Sequence, residues 1–145
     1  MPELTPLYTL IYRSQASRAV HEVTLHSLIR KARLHNQQAR VTGILLFAKG
    51  QFLQVLEGPE PVLSDLYARI NDDPRHYDVR TLAYGPIELR SFGPWPLAYA
   101  AVDAAVVDRV THCLPLPADV GHTPAPCQEV NQLLRNFAQS STAEN

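Results

Sequence analysis

The sequence has no hydrophobic run able to cross a bilayer: its longest apolar stretches, Val41–Ala48 and Leu97–Val102, fall well short of the roughly 18 residues a membrane helix needs. Its start, Met1-Pro2-Glu3, lacks the cationic opening of a signal peptide. Cysteine is scarce, and Cys113 and Cys127 make no disulfide framework, which fits a reducing compartment. These absences predict a cytoplasmic chain without membrane contact. Neither charge dominates, with 13 basic against 14 acidic residues, and no basic run could neutralise a row of phosphates, so direct nucleic-acid binding is not expected. The six glycines form no phosphate-cradling loop ahead of a helix. What remains is 145 residues, 46% apolar and 19% charged: one globular unit able to bury about 70% of its unfolded surface.

Proline divides the chain. Six of the twelve prolines lie between Pro94 and Pro126, which predicts a body over residues 1–97 and an extension over 98–145 containing a proline-rich linker, Pro115–Pro126, and a frayed tail, Ser140–Asn145. In the body, Leu7–Tyr12 reads as a strand, and Leu25, Leu28, Ile29 and Ala32 recur at helical spacing between about Val20 and Arg33. Val41–Phe47 and Gln51–Glu57 read as a hairpin closed by Ala48-Lys49-Gly50, where glycine supplies positive φ. Pro59, Glu60 and Pro61 suit the first turn of a second helix, which carries Leu63, Leu66, Tyr67 and Ile70 and ends near Asp72-Asp73-Pro74. Asp78–Tyr84 and Ile87–Phe92 read as two further strands joined at Gly85-Pro86. The order βαββαββ predicts an α+β, ferredoxin-like sheet with both helices on one face. Helices over Tyr99–Thr111 and Gln128–Gln139 would cover the other face or provide a subunit contact.

Two polar residues stand out in apolar strands. In this topology the first and third strands are the central pair, and alternation places Leu10 with Tyr12, and Phe52 with Gln54 and Leu56, on single faces. A buried amide needs partners, and Tyr12 is one candidate for Gln54; the other reading turns Gln54 to solvent or satisfies it with backbone. Leu66, Arg69, Ile70 and Asp73 share one face of the second helix. Two parallel helices presenting Leu28 and Ile70 could hold a flat ring between polar ends at Asn36 and Arg75, or simply form a helix–helix core with surface charges.

Ile11-Tyr12-Arg13-Ser14, Asn36 followed by Val41-Thr42-Gly43-Ile44-Leu45-Leu46, Phe52-Leu53-Gln54-Val55-Leu56-Glu57-Gly58 and Asp73-Pro74-Arg75-His76 together resemble the BLUF (blue light using flavin) photoreceptor domain, from about Leu7 to Leu97. The resemblance implies a flavin, normally FAD with FMN or riboflavin as variants, between the two helices, with Leu28 and Ile70 against its ring. Asn36 would bond the pyrimidine edge, and Arg75, with Asp73, Arg69 and His76, would help hold the cofactor. Tyr12 would give an electron and a proton to the excited flavin, and Gln54 would rearrange to produce a small red shift. A carboxamide suits that role because rotation or tautomerisation exchanges donor and acceptor. The chain departs from the family in having Ala32 where serine is frequent and Leu97 where methionine is frequent. Trp95, between Pro94 and Pro96, is expected to be packed or exposed at the strand end for structural reasons; an exchange with Leu97 on illumination, which would make the two modulators of the photoactive pair, is the alternative.

Two other classes compete. An acylphosphatase-like hydrolase shares the sheet and would use Arg13 or Arg75 with Asn36; a flavin-free interaction module would keep the fold alone. Cys113, His122 and Cys127 have no close ligand pair, so no metal site is expected. His21, His26 and His112 read as surface residues, and no Ser-His-Asp arrangement emerges. The protein is expected not to be an enzyme. The residues beyond Leu97 are too few for a cyclase or phosphodiesterase, so the signal would pass to a downstream effector or regulator protein, with self-association into a homo-oligomer also expected. The carboxy-terminal helices and outer sheet face are the candidate contacts.

Overall fold

The computed structural model describes residues 6–18, 20, 22–112 and 128–143. Cys113, His122, Cys127, the Pro115–Pro126 linker and His21 lie outside the described residues. The elements are β1 (Leu7–Ala16), α1 (Glu22–Ala39), β2 (Thr42–Ala48), β3 (Gln51–Pro59), α2 (Glu60–Asn71), β4 (His76–Ile87), β5 (Ala98–Ala101), α3 (Ala104–His112) and α4 (Gln128–Ala143). They form one five-stranded sheet in the order β4-β1-β3-β2-β5, with β1 and β3 an adjacent antiparallel pair near its centre.

Strand alternation builds two apolar layers. Leu10, Tyr12 and Leu56 pack with Leu63 of α2, and Leu45, Phe52 and Leu97 pack with Leu25 and Ile29 of α1. On the opposite face Ile11, Ile44, Leu53 and Val55 meet Val107 and Val110 of α3 and Leu134 and Ala138 of α4. The outer sheet face is therefore covered by the carboxy-terminal helices and is not itself a free contact surface.

The second half departs from the pattern read in the sequence. Gly85-Pro86 makes no turn; β4 runs through it as one strand, because β4 is the sheet edge and pairs only with β1, where a missing proline donor is tolerated. Ile87–Phe92 is not a strand. The chain turns over residues 88–97 and returns as β5, parallel to β2 with Ile44 opposite Ala98 and Phe47 opposite Ala101. Alanine-rich Ala98–Ala101 carries a helical propensity that this pairing overrides, and α3 starts only at Ala104. At the other end α4 extends to Ala143, past the Gln139 read as its end in the sequence.

Lys49 and Gly50 turn between β2 and β3 with φ of 47° and 78°, the double positive φ that matches strand twist. α1 runs past Arg33 to Ala39, and Arg40 ends it in the left-handed region at φ 63° while the Val41 N–H reaches back to the Asn36 carbonyl at 2.8 Å. This cap sets the last turn of α1 and with it the placement of Asn36. Arg40→Gly is expected to stabilise the fold by about 1 kcal/mol, read by chemical denaturation, since glycine carries no Cβ penalty there.

Candidate functional site

The floor of the site is the β1–β3 pair, where Tyr12 stands directly opposite Gln54. Both are buried, at 4% and 8% exposure, and the Tyr12 phenol donates a hydrogen bond to Gln54 Oε1. Gln54 thus faces the interior and not solvent. Burial above all, and then Tyr67 and Asp73 nearby, hold the Tyr12 phenol far above its ordinary pKa. It is a neutral phenol at physiological pH, so an electron leaving it must take the proton along.

Above this floor a cavity of about 180 Å³ separates α1 from α2. Leu28, Ile29 and Ala32 form one wall, Leu66 and Ile70 the other, and Leu97 closes the side next to β5. Asn36, Asp73, Arg75 and His76 line it too, so apolar walls meet polar groups at the floor and ends, the composition of a small-molecule site. Asn36 donates through Nδ2 to the Pro96 carbonyl at 3.0 Å. Arg75 closes a local turn with Asp73, its N–H to Oδ1 at 3.0 Å and its guanidinium 3.4 Å from Oδ2.

Three nominated residues sit differently. Arg69 is outside the cavity lining, exposed and bonded to Asp65 at 3.4 Å and His35 at 3.1 Å. Trp95 packs with the cluster beneath α3 and α4, on the sheet face away from the cavity. Arg13 also faces that side, holding Gln51 and reaching Thr111 and Asp108 of α3 at 3.3 Å, so it cannot pair with Asn36. His26 and His112 are exposed, and no metal-holding cluster occurs among the described residues.

Two positioning residues escape sequence reasoning. Arg33 donates through Nε to the Leu97 carbonyl at 2.7 Å, fixing the residue that closes the cavity. Glu57 is 2% exposed and accepts from Thr42 Oγ1 and the backbone N–H groups of Ser91 and Phe92. Arg90, bonded to Thr42 Oγ1 and to the carbonyls of Glu57 and Arg40, completes the cluster. A carboxylate directly following the mostly apolar run Phe52–Leu56, within one strand, was the available signal. Burial is the largest influence on Glu57 and raises its pKa, against the lowering by its donors and Arg90. Its titration therefore contributes stability that is full below the ordinary glutamate pKa and is lost as pH rises through the elevated folded value. Glu57→Gln turns an NH₂ toward a backbone N–H, and is expected to cost about 1–3 kcal/mol at neutral pH, with a smaller loss of stability between acid and neutral pH than in the parent. Urea denaturation across that range measures both.

The profile of a family described as "Sensors of blue-light using FAD" matches residues 7–98. Photoactivated adenylate cyclase subunit beta of Euglena longa is 42% identical over 95 residues, 65% of this chain and 11% of that protein. The blue light- and temperature-regulated antirepressor BluF of Escherichia coli (strain K12) is 40% identical over 87 residues, 60% of this chain and 22% of that one. The chain spans only about a tenth of the length of the Euglena relatives. Among solved structures, the dark state of BlrB, a BLUF protein, is similar with a TM-score of 0.72 and 26% identity, covering 95% of this chain and 99% of that one. With this match spanning more than half its length, the chain belongs to the BLUF family, the flavin-binding sensors of blue light.

Proposed function

We propose that this protein is a blue-light receptor that binds FAD between α1 and α2 and signals through Tyr12 and Gln54 to a separate partner protein. The observation that carries the reading is the buried Tyr12–Gln54 hydrogen bond at the floor of an apolar slot. The residues fit the cofactor: Leu28 and Ile70 suit the faces of a flat ring, Asn36 its polar edge, and Arg75 at the mouth an anionic tail. Bound there, the flavin supplies blue-light absorption and an excited state that accepts an electron.

Tyr12 is the donor. Its proton already lies on the bond to Gln54 Oε1, so Gln54 receives it as the electron departs; when an electron and a proton return to Tyr12 no net oxidation remains, and Gln54 is left rearranged, its amide presenting a changed donor–acceptor pattern to the ring. Apolar walls exclude water that would otherwise compete for these bonds. The result is a signalling state, not a chemical product, and the chain is read as a sensor without enzymatic activity of its own. Several relatives are named as light-regulated effectors, an adenylate cyclase and an antirepressor among them, which supports transfer of the signal to an effector partner. The acylphosphatase-like reading loses support, because Asn36 and Arg75 frame an apolar slot rather than an anion cradle.

Purified protein, supplemented with FAD and freed of unbound ligand, is expected to be yellow and to release FAD on denaturation. A colourless protein after supplementation overturns the reading.

A further inference from the structure

His76, which the sequence nominates as a cofactor-holding residue, has both ring nitrogens committed within the protein. Nε2 lies 2.6 Å from the Ile70 carbonyl, and Nδ1 lies 2.7 Å from Ser14 Oγ. A carbonyl only accepts, so Nε2 carries a proton, and in the neutral ring Nδ1 then accepts from the Ser14 hydroxyl. The ring therefore offers the cavity no free nitrogen. It also stands edge-on to Tyr12, with centroids 6.0 Å apart and planes at 71°, and edge-on to Phe52 at 6.4 Å.

We propose that His76 is a positioning residue rather than a flavin ligand. It is a strut from β1 through β4 to the end of α2 that sets the Ile70 wall and the Tyr12 ring. The proposal rests on the flavin reading of the cavity. The Ile70 carbonyl is one of those that α2 leaves without an intrahelical partner, and besides His76 it receives the Asp73 N–H at 3.2 Å. Without the imidazole the last turn of α2 loses its hydrogen-bonded link to Ser14 of β1, and Ile70 shifts with it. Ser14 holds the far end; it is 1% exposed and does not line the cavity, and its hydroxyl is hydrogen-bonded to His76, so the hydroxyl acts on the cofactor through His76.

Nitrogen-15 NMR of the His76 imidazole, on protein with and without flavin in the dark, is expected to show the neutral Nε2–H tautomer in both states. An Nδ1–H tautomer, or one that changes when flavin is added, overturns the proposal. Flavin affinity separates the roles further. Ser14→Ala should weaken it about fivefold to tenfold, the equivalent of one lost hydrogen bond, and His76→Phe, which removes both of the imidazole's hydrogen bonds, at least as much. His76→Gln, whose amide both donates and accepts, should stay within about twofold of the parent. A silent Ser14→Ala beside a weakened His76→Phe would show direct contact with the flavin and sink the proposal; if His76→Phe does not fold, Ser14→Ala alone decides. Failure of the parent to bind flavin overturns the functional reading and the affinity effect with it, while the tautomer measurement still judges the strut.

Discussion

Tyr12→Phe and Gln54→Leu are each expected to retain flavin and to lose the light-induced red shift. Phenylalanine keeps the ring that packs against Tyr67, 5.7 Å away, and His76, but has no proton to send with the electron. Leucine preserves the volume at position 54 and cannot exchange donor for acceptor. Each single change also strands a buried partner, Gln54 Oε1 in one case and the Tyr12 hydroxyl in the other, at a cost of about 1–3 kcal/mol. The double variant strands neither, so it should be less destabilised than the two single losses added together. Light-minus-dark spectra and denaturation curves on the three variants test the electronic and the structural halves separately. A normal photocycle in either single variant would mean the pair is misassigned.

Gly43→Ala is expected to produce the largest loss of stability. A Cβ at position 43 would stand 1.9 Å from the Val55 carbonyl oxygen and 3.2 Å from the Leu56 Cα, both backbone atoms of the neighbouring strand. No side-chain rotation relieves that overlap, so β2 must move away from β3, on which Gln54 lies. The Gly43 N–H also holds the Trp95 carbonyl at 3.1 Å, so the same movement loosens the turn that carries Leu97 into the cavity. The expected cost is about 3 kcal/mol or more, above the usual range for overpacking because the obstacle is backbone. At this chain length that lowers Tm by roughly 10 °C. Thermal unfolding checks it, and a change below about 1 kcal/mol would mean the strands are not held so closely.

How much of this was legible in the sequence follows from what kind of signal each residue carries. The β1 to α2 half was readable because its apolar positions repeat at strand or helix period and its turns carry their own chemistry, as at Lys49-Gly50. Tyr12 and Gln54 were legible as polar residues in adjacent strands, with alternation setting which neighbours share their faces; that they stand directly opposite each other is a register the sequence left open. The β5 region was not. Ala98–Ala101 has little strand propensity beyond Tyr99 and is a strand because β2 offers an edge to pair with, a long-range fact absent from any local window. The prolines around Trp95 marked an irregular segment but could not say that Trp95 would turn to the α3–α4 side while Leu97 turned to the cavity. Arg33 and Glu57 act on backbone groups dozens of residues away, so nothing near them announces their partners. Arg69 shared a helical face with Ile70 on the pattern, and its length carried the guanidinium outward to Asp65 and His35.

The central claim is that blue light moves a proton and an electron out of Tyr12 and rearranges Gln54 without consuming a substrate. The most direct test is the absorption spectrum of the flavin-loaded protein before, during and after blue illumination. The account predicts a flavin spectrum that shifts slightly to the red in the light and returns fully in the dark. A flavin spectrum that light leaves unchanged, or that bleaches without recovery, would contradict it.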